Sequence, residues 1–409
     1  MNLLNFLWGL CGIVGILLIA FLFSNNKRTI PWRTLLVGLL IQFLFAFMVL
    51  KWSAGQAGLK WFSARVTDLI NFSNVGIKFL FGDLISGKGA PIFALQVLPV
   101  IIFLGALIGI LYHWGIIQWI IRILGGAIAY LLGTSRVESL SSVATVFLGQ
   151  SEAPLLIRPF IPKLTSSELF TIMTNGFASV AGSTLVSYAL LGIPLPYLLT
   201  ASIMAAPAGL VISKLMFPET KRTETAEEIT MVHDKESVNV IDAATKGALD
   251  GLRLAINVGA LLLAFISLIA MLNGLLGVIG SWFGYPTITF QTLLGYILSP
   301  IAFLIGVPWS EAVTAGGFIG QKVVVNEFVA YSSLGPVIDT LSPVTATIIT
   351  FALCGFANFS SIAIQIGTIG GLAPSRRSDV ARLSLKALLA GTLANLLNAT
   401  IAGILIRMF

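Results

Sequence analysis

Two carboxylates stand inside otherwise apolar stretches of this 409-residue chain, each beside residues able to hydrogen-bond a polar solute. The first is Glu152, in Gly149-Gln150-Ser151-Glu152-Ala153-Pro154. Gln150 offers donors and an acceptor, Ser151 a hydroxyl and Glu152 a charge. The second is Glu327, in Val325-Asn326-Glu327-Phe328. A charge held within hydrocarbon is costly, so such a residue is read first as functional. The competing role for each is a structural ion pair or a buried cap. Acid–base catalysis by either carboxylate is the enzymatic alternative, but no nucleophile or metal set accompanies them. No Walker A, HExxH or GxSxG pattern occurs, which leaves ATP-driven transport and common hydrolase chemistry without support.

The two carboxylates belong to a repeat. Gly176-Phe177-Ala178-Ser179 follows Glu152, and Gly355-Phe356-Ala357-Asn358 follows Glu327. More small residues come next: Ala181, Gly182, Ser183 and Thr184 in one unit, Ser360 and Ser361 in the other. Each unit therefore reads as an acidic hairpin followed by a long helix that unwinds at its middle. Interrupted helices in internal repeats are typical of secondary transporters that bind substrate at the bilayer midplane. The two hairpins are expected to come in from opposite sides, which makes the repeat inverted.

The elements that must carry these residues are transmembrane helices. Hydrophobic residues make up 57% of the chain and charged residues 10%, against about 25% charged in a soluble domain. Mean hydropathy is +0.97. Eight apolar segments, near 3–23, 34–50, 95–113, 168–191, 195–216, 252–280, 343–372 and 383–406, are long enough to span at roughly 20 residues each. Two more regions, 118–160 and 290–330, are apolar but broken by polar residues, Gly or Pro, and read as re-entrant hairpins. Broken backbone at that depth requires burial in protein or a water-filled cavity. Segment 55–70 differs: Leu59, Phe62, Val66 and Leu69 form one apolar face, with Lys60, Arg65 and Asp68 off it, as in an interfacial helix. The predicted fold class is thus an all-α polytopic membrane protein: eight transmembrane helices, two re-entrant hairpins, an inverted repeat with two unwound helices, and an interfacial helix.

The net charge of +7 does not point to nucleic acid, because the basic residues sit singly or in short groups between apolar segments. They fit the positive-inside rule instead. Lys27, Arg28 and Arg33; Arg122, Arg136, Arg158 and Lys163; Lys214, Lys221 and Arg222; and Arg376, Arg377, Arg382 and Lys386 all fall on one side when both termini are external. No cleavable signal peptide is expected, since Lys27 and Arg28 follow the first apolar run. Cys11 and Cys354 lie in apolar runs without metal spacing, so neither a disulfide nor zinc is expected. His113 reads as an interfacial residue, Glu311 as a structural residue at a hairpin start, and Asn257 as a bond to neighbouring backbone or to the site. The hydrophilic stretch 218–240 reads as a solvated loop.

With these motifs in hand, the chain resembles the concentrative nucleoside transporter family. The resemblance rests on Gly149-Gln150-Ser151-Glu152, Val325-Asn326-Glu327-Phe328-Val329-Ala330-Tyr331 and Cys354-Gly355-Phe356-Ala357-Asn358-Phe359-Ser360-Ser361. It extends through Gly306-Val307-Pro308-Trp309 and Ala373-Pro374-Ser375-Arg376-Arg377, over nearly the whole chain. It implies a homotrimer in the lipid bilayer of the bacterial inner membrane, each subunit importing nucleosides by cation symport without a cofactor. It also implies that Gln150, Ser151 and Glu152 contact the nucleobase and that Glu327, Asn358 and Ser361 hold the ribose hydroxyls. Leu254 and Thr184 align with apolar pocket positions, Thr184 departing from them by its hydroxyl. Sodium-coupled members are similar in carrying Asn five residues before the hairpin Gln. Here that position is Thr145, beside Ser179 and the backbone of Leu148 and Val180, and the loss of an amide oxygen favours proton over sodium coupling. The implied organisation is scaffold helices in 1–114, a first transport unit in 115–194, linking helices in 195–280, a second transport unit in 281–372 and a C-terminal helix in 373–409. A nucleoside-gated channel or receptor is the remaining alternative.

Overall fold

A computed structural model describes residues 3–85, 92–221 and 237–408, and all regular structure among them is helical. The chain opens with α1 (Leu3–Leu22), α2 (Trp32–Leu50), α3 (Ser53–Phe81), the short α4 (Phe93–Gln96) and α5 (Leu98–His113). Then come α6 (Ile116–Leu132), α7 (Arg136–Leu156), α8 (Ser166–Ala178), α9 (Gly182–Leu190) and α10 (Leu195–Met216). The 43-residue α11 (Val240–Trp282) leads to α12 (Phe290–Leu304), α13 (Trp309–Val324) and α14 (Glu327–Leu334). The last are α15 (Pro343–Leu353), α16 (Phe359–Leu372) and α17 (Arg377–Met408).

Seven helices among the described residues are long and apolar enough to cross a membrane: Asn5–Leu22, Trp32–Leu50, Phe93–His113, Ser166–Leu190, Leu195–Met216, Val240–Trp282 and Pro374–Met408. Six of these match expected spans closely. The span expected at 252–280 instead begins at Val240, where Asn239 caps the helix by accepting a hydrogen bond from Asp242 N at 2.9 Å. The expected span 343–372 is two shorter helices, α15 and α16, because the chain leaves helical geometry between Leu353 and Phe359.

The repeat is longer than the sequence motifs indicated. Each copy has a leading helix (α6; α12), a broken segment (α7; α13 with α14), an interrupted helix (α8 and α9; α15 and α16) and a closing long helix (α10; α17). This corrects both hairpin boundaries. Residues 116–132 are not a hairpin arm but a separate helix that stops where Gly133 takes a left-handed conformation. Residues 290–304 likewise form their own helix, bent 115° from α13. Both are as apolar as a hairpin arm, so hydropathy did not separate them. The second turn is narrower, between α13 and α14, where Ser333 Oγ donates to Gln321 Oε1 at 3.0 Å across the returning arm.

The helix expected at 55–70 runs on to Phe81, and its inward face is Ser63, Ile70, Ser73 and Ile77. Phe62, expected on the apolar face, is exposed. Asn257 also lies on an exposed face of α11, with no hydrogen-bond partner among the described residues. Glu311 is structural as expected: it accepts from Ser342 N (2.9 Å) and Ser342 Oγ (2.6 Å) and so fastens the start of α15 to α13. Of the loop expected at 218–240, residues 222–236 lie outside the described residues.

The core is concentrated in α7, α8, α10, α15 and α17, where most side chains are buried. In contrast, α11 leaves Ile256, Leu263, Met271 and Val278 more than half exposed. It packs on α5 through small residues, Gly247 and Gly251 against Gly105 and Gly109, which lets two apolar helices approach closely.

Candidate functional site

Every break in the repeat is made by local sequence. In α7 the backbone at Gly149 adopts φ 80°, ψ −179°, a region essentially confined to glycine. The chain before it is held by a capping box, Ser135 N donating to Glu138 Oε1 at 2.7 Å and Glu138 N to Ser135 Oγ at 3.4 Å. The interruption between α8 and α9 falls at Ser179–Ala181, and Gly149 packs against Ala181, so the first turn and the first interruption meet. Gly149→Ala is expected to cost about 1–3 kcal/mol of local strain and to abolish uptake while leaving the protein expressed. Near-normal uptake by this variant would show that the turn does not need this geometry.

In the second copy, Asn326 caps α14 by accepting from Val329 N at 2.8 Å, and Asn358 caps α16 by accepting from Ser361 N at 2.9 Å. Both half-helices thus present amino-terminal ends, which carry partial positive charge, beside Glu327 and Asn358. Glu327 Oε2 accepts from Asn358 Nδ2 at 2.8 Å, and Glu327 Oε1 accepts from the Tyr188 hydroxyl at 2.9 Å. Tyr188 comes from α9, so the second carboxylate is gripped by both copies of the repeat.

Gln150 closes the link in the other direction. Its Nε2 donates to Ser361 Oγ at 3.0 Å, across 211 residues of sequence. Its Oε1 accepts from Gln365 Nε2 at 3.2 Å. Four of the expected site residues, Gln150, Glu327, Asn358 and Ser361, are therefore drawn into one buried polar cluster. Ser151 and Glu152 follow on the short arm after Gly149, exposed, and no hydrogen bond to Glu152 occurs among the described residues. Thr184 is buried in the first turn of α9, and Leu254 is half-buried on α11.

The four residues expected around a cation are all buried at the first turn and the first interruption. The Thr145 hydroxyl donates to Ser142 O at 2.8 Å, and the Ser179 hydroxyl to Asn175 O at 2.8 Å. The Val180 carbonyl accepts from Ser202 Oγ at 3.5 Å.

Sequence reasoning missed four residues here. Tyr188 and Gln365 touch the cluster directly. Lys322, buried in α13, donates to Ala352 O at 2.9 Å and to Asn395 Oδ1 at 2.5 Å. Asn395 Nδ2 in turn donates to Ala178 O (2.6 Å) and Cys354 O (2.9 Å), so this pair satisfies the carbonyl ends of both interrupted helices. Gln365 and Lys322 did carry a signal, each being a polar residue set in an apolar run.

A multi-pass helical protein with a buried, uncharged-donor-rich polar site built from two interrupted repeats belongs to the class of membrane transporters. Comparison with known proteins agrees. Family models described as Na+ dependent nucleoside transporter N-terminus and C-terminus match residues 11–84 and 197–403, and one described as nucleoside recognition matches 94–195. An uncharacterized transporter, YutK of Bacillus subtilis, is 60% identical over 98% of this chain and all of its own. The nucleoside permease NupC of Helicobacter pylori is 42% identical over 98% of each chain. The solved structure of CNTnw in an inward-facing substrate-bound state has a TM-score of 0.94 at 47% identity, covering 99% of this chain and 98% of that one. The chain belongs to the concentrative nucleoside transporter family. Its relatives are permeases and transporters rather than enzymes.

Proposed function

We propose that this protein imports nucleosides across the bacterial inner membrane by symport with a cation. The observation that carries this reading is the joining of both acidic turns and the second helix interruption in one buried polar cluster, Gln150–Ser361 and Asn358–Glu327. Such a cluster suits a ligand with a hydrogen-bonding base edge and vicinal hydroxyls. Gln150, Ser151 and Glu152 face the base, Glu327, Asn358 and Ser361 the ribose, and Thr184 and Leu254 the pocket wall. The two copies enter from opposite sides of the membrane, with both termini external and the basic loops inside. The unburied apolar face of α11, against α5, supports a homotrimer formed around that pair. The transport units in 115–194 and 281–372 would move past the scaffold helices in 1–114, with linking helices in 195–280 and the last helix in 373–409. Labelled uridine in proteoliposomes tests the reading: accumulation against a concentration gradient is expected, and uptake that only equilibrates would make the protein a channel.

The coupling ion follows from Thr145. With threonine there, the amide oxygen suited to sodium is missing, and only a hydroxyl that donates to Ser142 O stands in its place. We therefore read the coupling as proton-driven. We assign the proton to Glu152, which has no hydrogen bond from protein among the described residues, whereas Glu327 is held by Tyr188 and Asn358 and assigned to the ribose. The family description favours sodium as a second reading, with Thr145, Ser179 and the Leu148 and Val180 carbonyls as ligands. In sodium-free vesicles an inward pH gradient is expected to drive uridine uptake, and a protonophore to abolish it. Uptake that requires sodium and ignores the pH gradient would establish the second reading. Thr145→Asn is expected to confer sodium stimulation.

A further inference from the structure

Gln150 is an amide, and an amide can present either a donor or an acceptor to a base edge. Which one it presents is decided outside the substrate site. Gln365 Nε2 donates to the main-chain carbonyl of Met173 at 3.0 Å. A carbonyl oxygen only accepts, so this contact fixes which end of the Gln365 amide points there. The same Nε2 gives its other hydrogen to Gln150 Oε1 at 3.2 Å. Gln150 must then turn Nε2 the other way, toward Ser361 Oγ at 3.0 Å. Polarity thus passes from a fixed carbonyl through Gln365 to Gln150. The pair is fitted into α8: a Cβ at Gly176 would stand 2.7 Å from Gln365 Nε2 and 3.2 Å from Gln150 Cβ. Both glutamines are buried, so solvent does not compete for these bonds.

We infer that Gln365 is a specificity-determining residue, which orients Gln150 so that its remaining amide hydrogen reads an acceptor atom on the nucleobase. Gln150 Oε1 is held toward Gln365, and one Nε2 hydrogen is given to Ser361. The second Nε2 hydrogen has no acceptor among the described residues, and a base carbonyl would supply one. A base with a carbonyl on its reading edge, such as uracil or hypoxanthine, is then preferred to one that carries an amine there, such as cytosine or adenine. An amine at that place meets a donor with a donor. Gln365 need not touch substrate for this, so it is a positioning residue acting through Gln150.

The inference rests on the reading that Gln150 contacts the base, and the test separates the two. Inhibition constants of uridine, cytidine, inosine and 2′-deoxyuridine are measured against labelled uridine uptake in proteoliposomes. The variants are wild type, Gln365→Met, Gln365→Glu and Gln150→Leu. In wild type, uridine is expected to outcompete cytidine by roughly fivefold to tenfold, the worth of one neutral hydrogen bond, and inosine to be accepted. Gln365→Met has similar bulk and no amide, so Gln150 is free to turn and the uridine-to-cytidine ratio falls toward one. Gln365→Glu offers an acceptor where Gln150 now finds a donor, and the ratio inverts. Preference for the ribose over 2′-deoxyuridine is expected to be unchanged in both, which a general loosening of the site would not give. A ratio within twofold of wild type in whichever Gln365 variant transports overturns the inference, as does a wild type that prefers cytidine. If Gln150→Leu also leaves the ratio unchanged, Gln150 does not read the base and the underlying assignment fails with it. If Gln150→Leu abolishes the ratio and the Gln365 variants keep it, only the role of Gln365 is lost.

Discussion

Lys214→Met is expected to lower the thermal unfolding midpoint of the purified protein more than any change at the substrate site. Lys214 Nζ lies 2.6 Å from Glu138 Oε2, and the two side chains are 6% and 2% exposed. The lysine also donates to Ser167 Oγ at 3.0 Å, and Ser167 Oγ donates to Phe217 O at 2.6 Å. One ion pair therefore ties the start of α7 to the end of α10 and the first turn of α8. Removing one partner strands the other charge without water, a loss of about 3–5 kcal/mol. The charge left behind is the larger part of that cost, so removing both should recover much of it. The double variant Lys214→Met with Glu138→Leu is expected to melt well above either single one. In a double-mutant cycle that recovery is the coupling energy. Single variants that melt with the wild type, or a double variant no better than the singles, would show that the pair is solvated and carries no such load. Uridine affinity of the surviving folded fraction should be unaffected, because none of these groups belongs to the polar cluster.

Much of this architecture is legible in the sequence. The interruption between α8 and α9 was visible because Gly-Phe-Ala followed by a small polar residue recurs after each acidic turn. Small residues there give little packing to hold a continuous helix. The capping boxes at Ser135 and Thr165, an oxygen at one position and a glutamate three residues on, are equally local but were not among the sequence expectations. Hairpin limits were misread for a physical reason: hydropathy records how apolar a segment is, not whether it spans, lies flat or folds back. Thus α6 and α12 merged with their neighbours. Phe62 was misplaced because helical spacing finds the apolar stripe but not the face that has a partner. Tyr188 was invisible for a different reason. Its hydroxyl meets Glu327 across 139 residues, and no pattern around Tyr188 distinguishes it from a core aromatic. Asn395 belongs to the same kind, and so does the partner of Lys322, though not Lys322 itself: these contacts become readable only when two interrupted helices expose carbonyls in one place.

Glu327→Gln is expected to weaken nucleoside binding by about 1.5–3 kcal/mol, the range for a hydrogen bond to a charged group, or roughly tenfold to a hundredfold in Kd. The fold should tolerate the change. The carboxylate now accepts from Asn358 Nδ2 and from the Tyr188 hydroxyl. An amide can keep its oxygen toward Asn358 and turn its nitrogen toward Tyr188, whose hydroxyl can accept instead of donate. Neither neighbour is stranded, so the thermal midpoint should stay near wild type. What disappears is the negative charge offered to ribose hydroxyls in a site closed to water. The diagnostic is therefore a comparison of substrates rather than the loss itself. Wild type should bind uridine better than 2′-deoxyuridine, and the variant should narrow that gap, because the bond removed from the substrate and the bond removed from the protein are the same one. Tyr188→Phe keeps the charge and removes one of its two protein donors, so it should change affinity less than Glu327→Gln and leave the gap open. Labelled uridine binding to purified protein, with competition by the deoxy analogue, measures both quantities. Equal losses for the two nucleosides would remove Glu327 from the ribose and leave it as a structural link between α9 and α14.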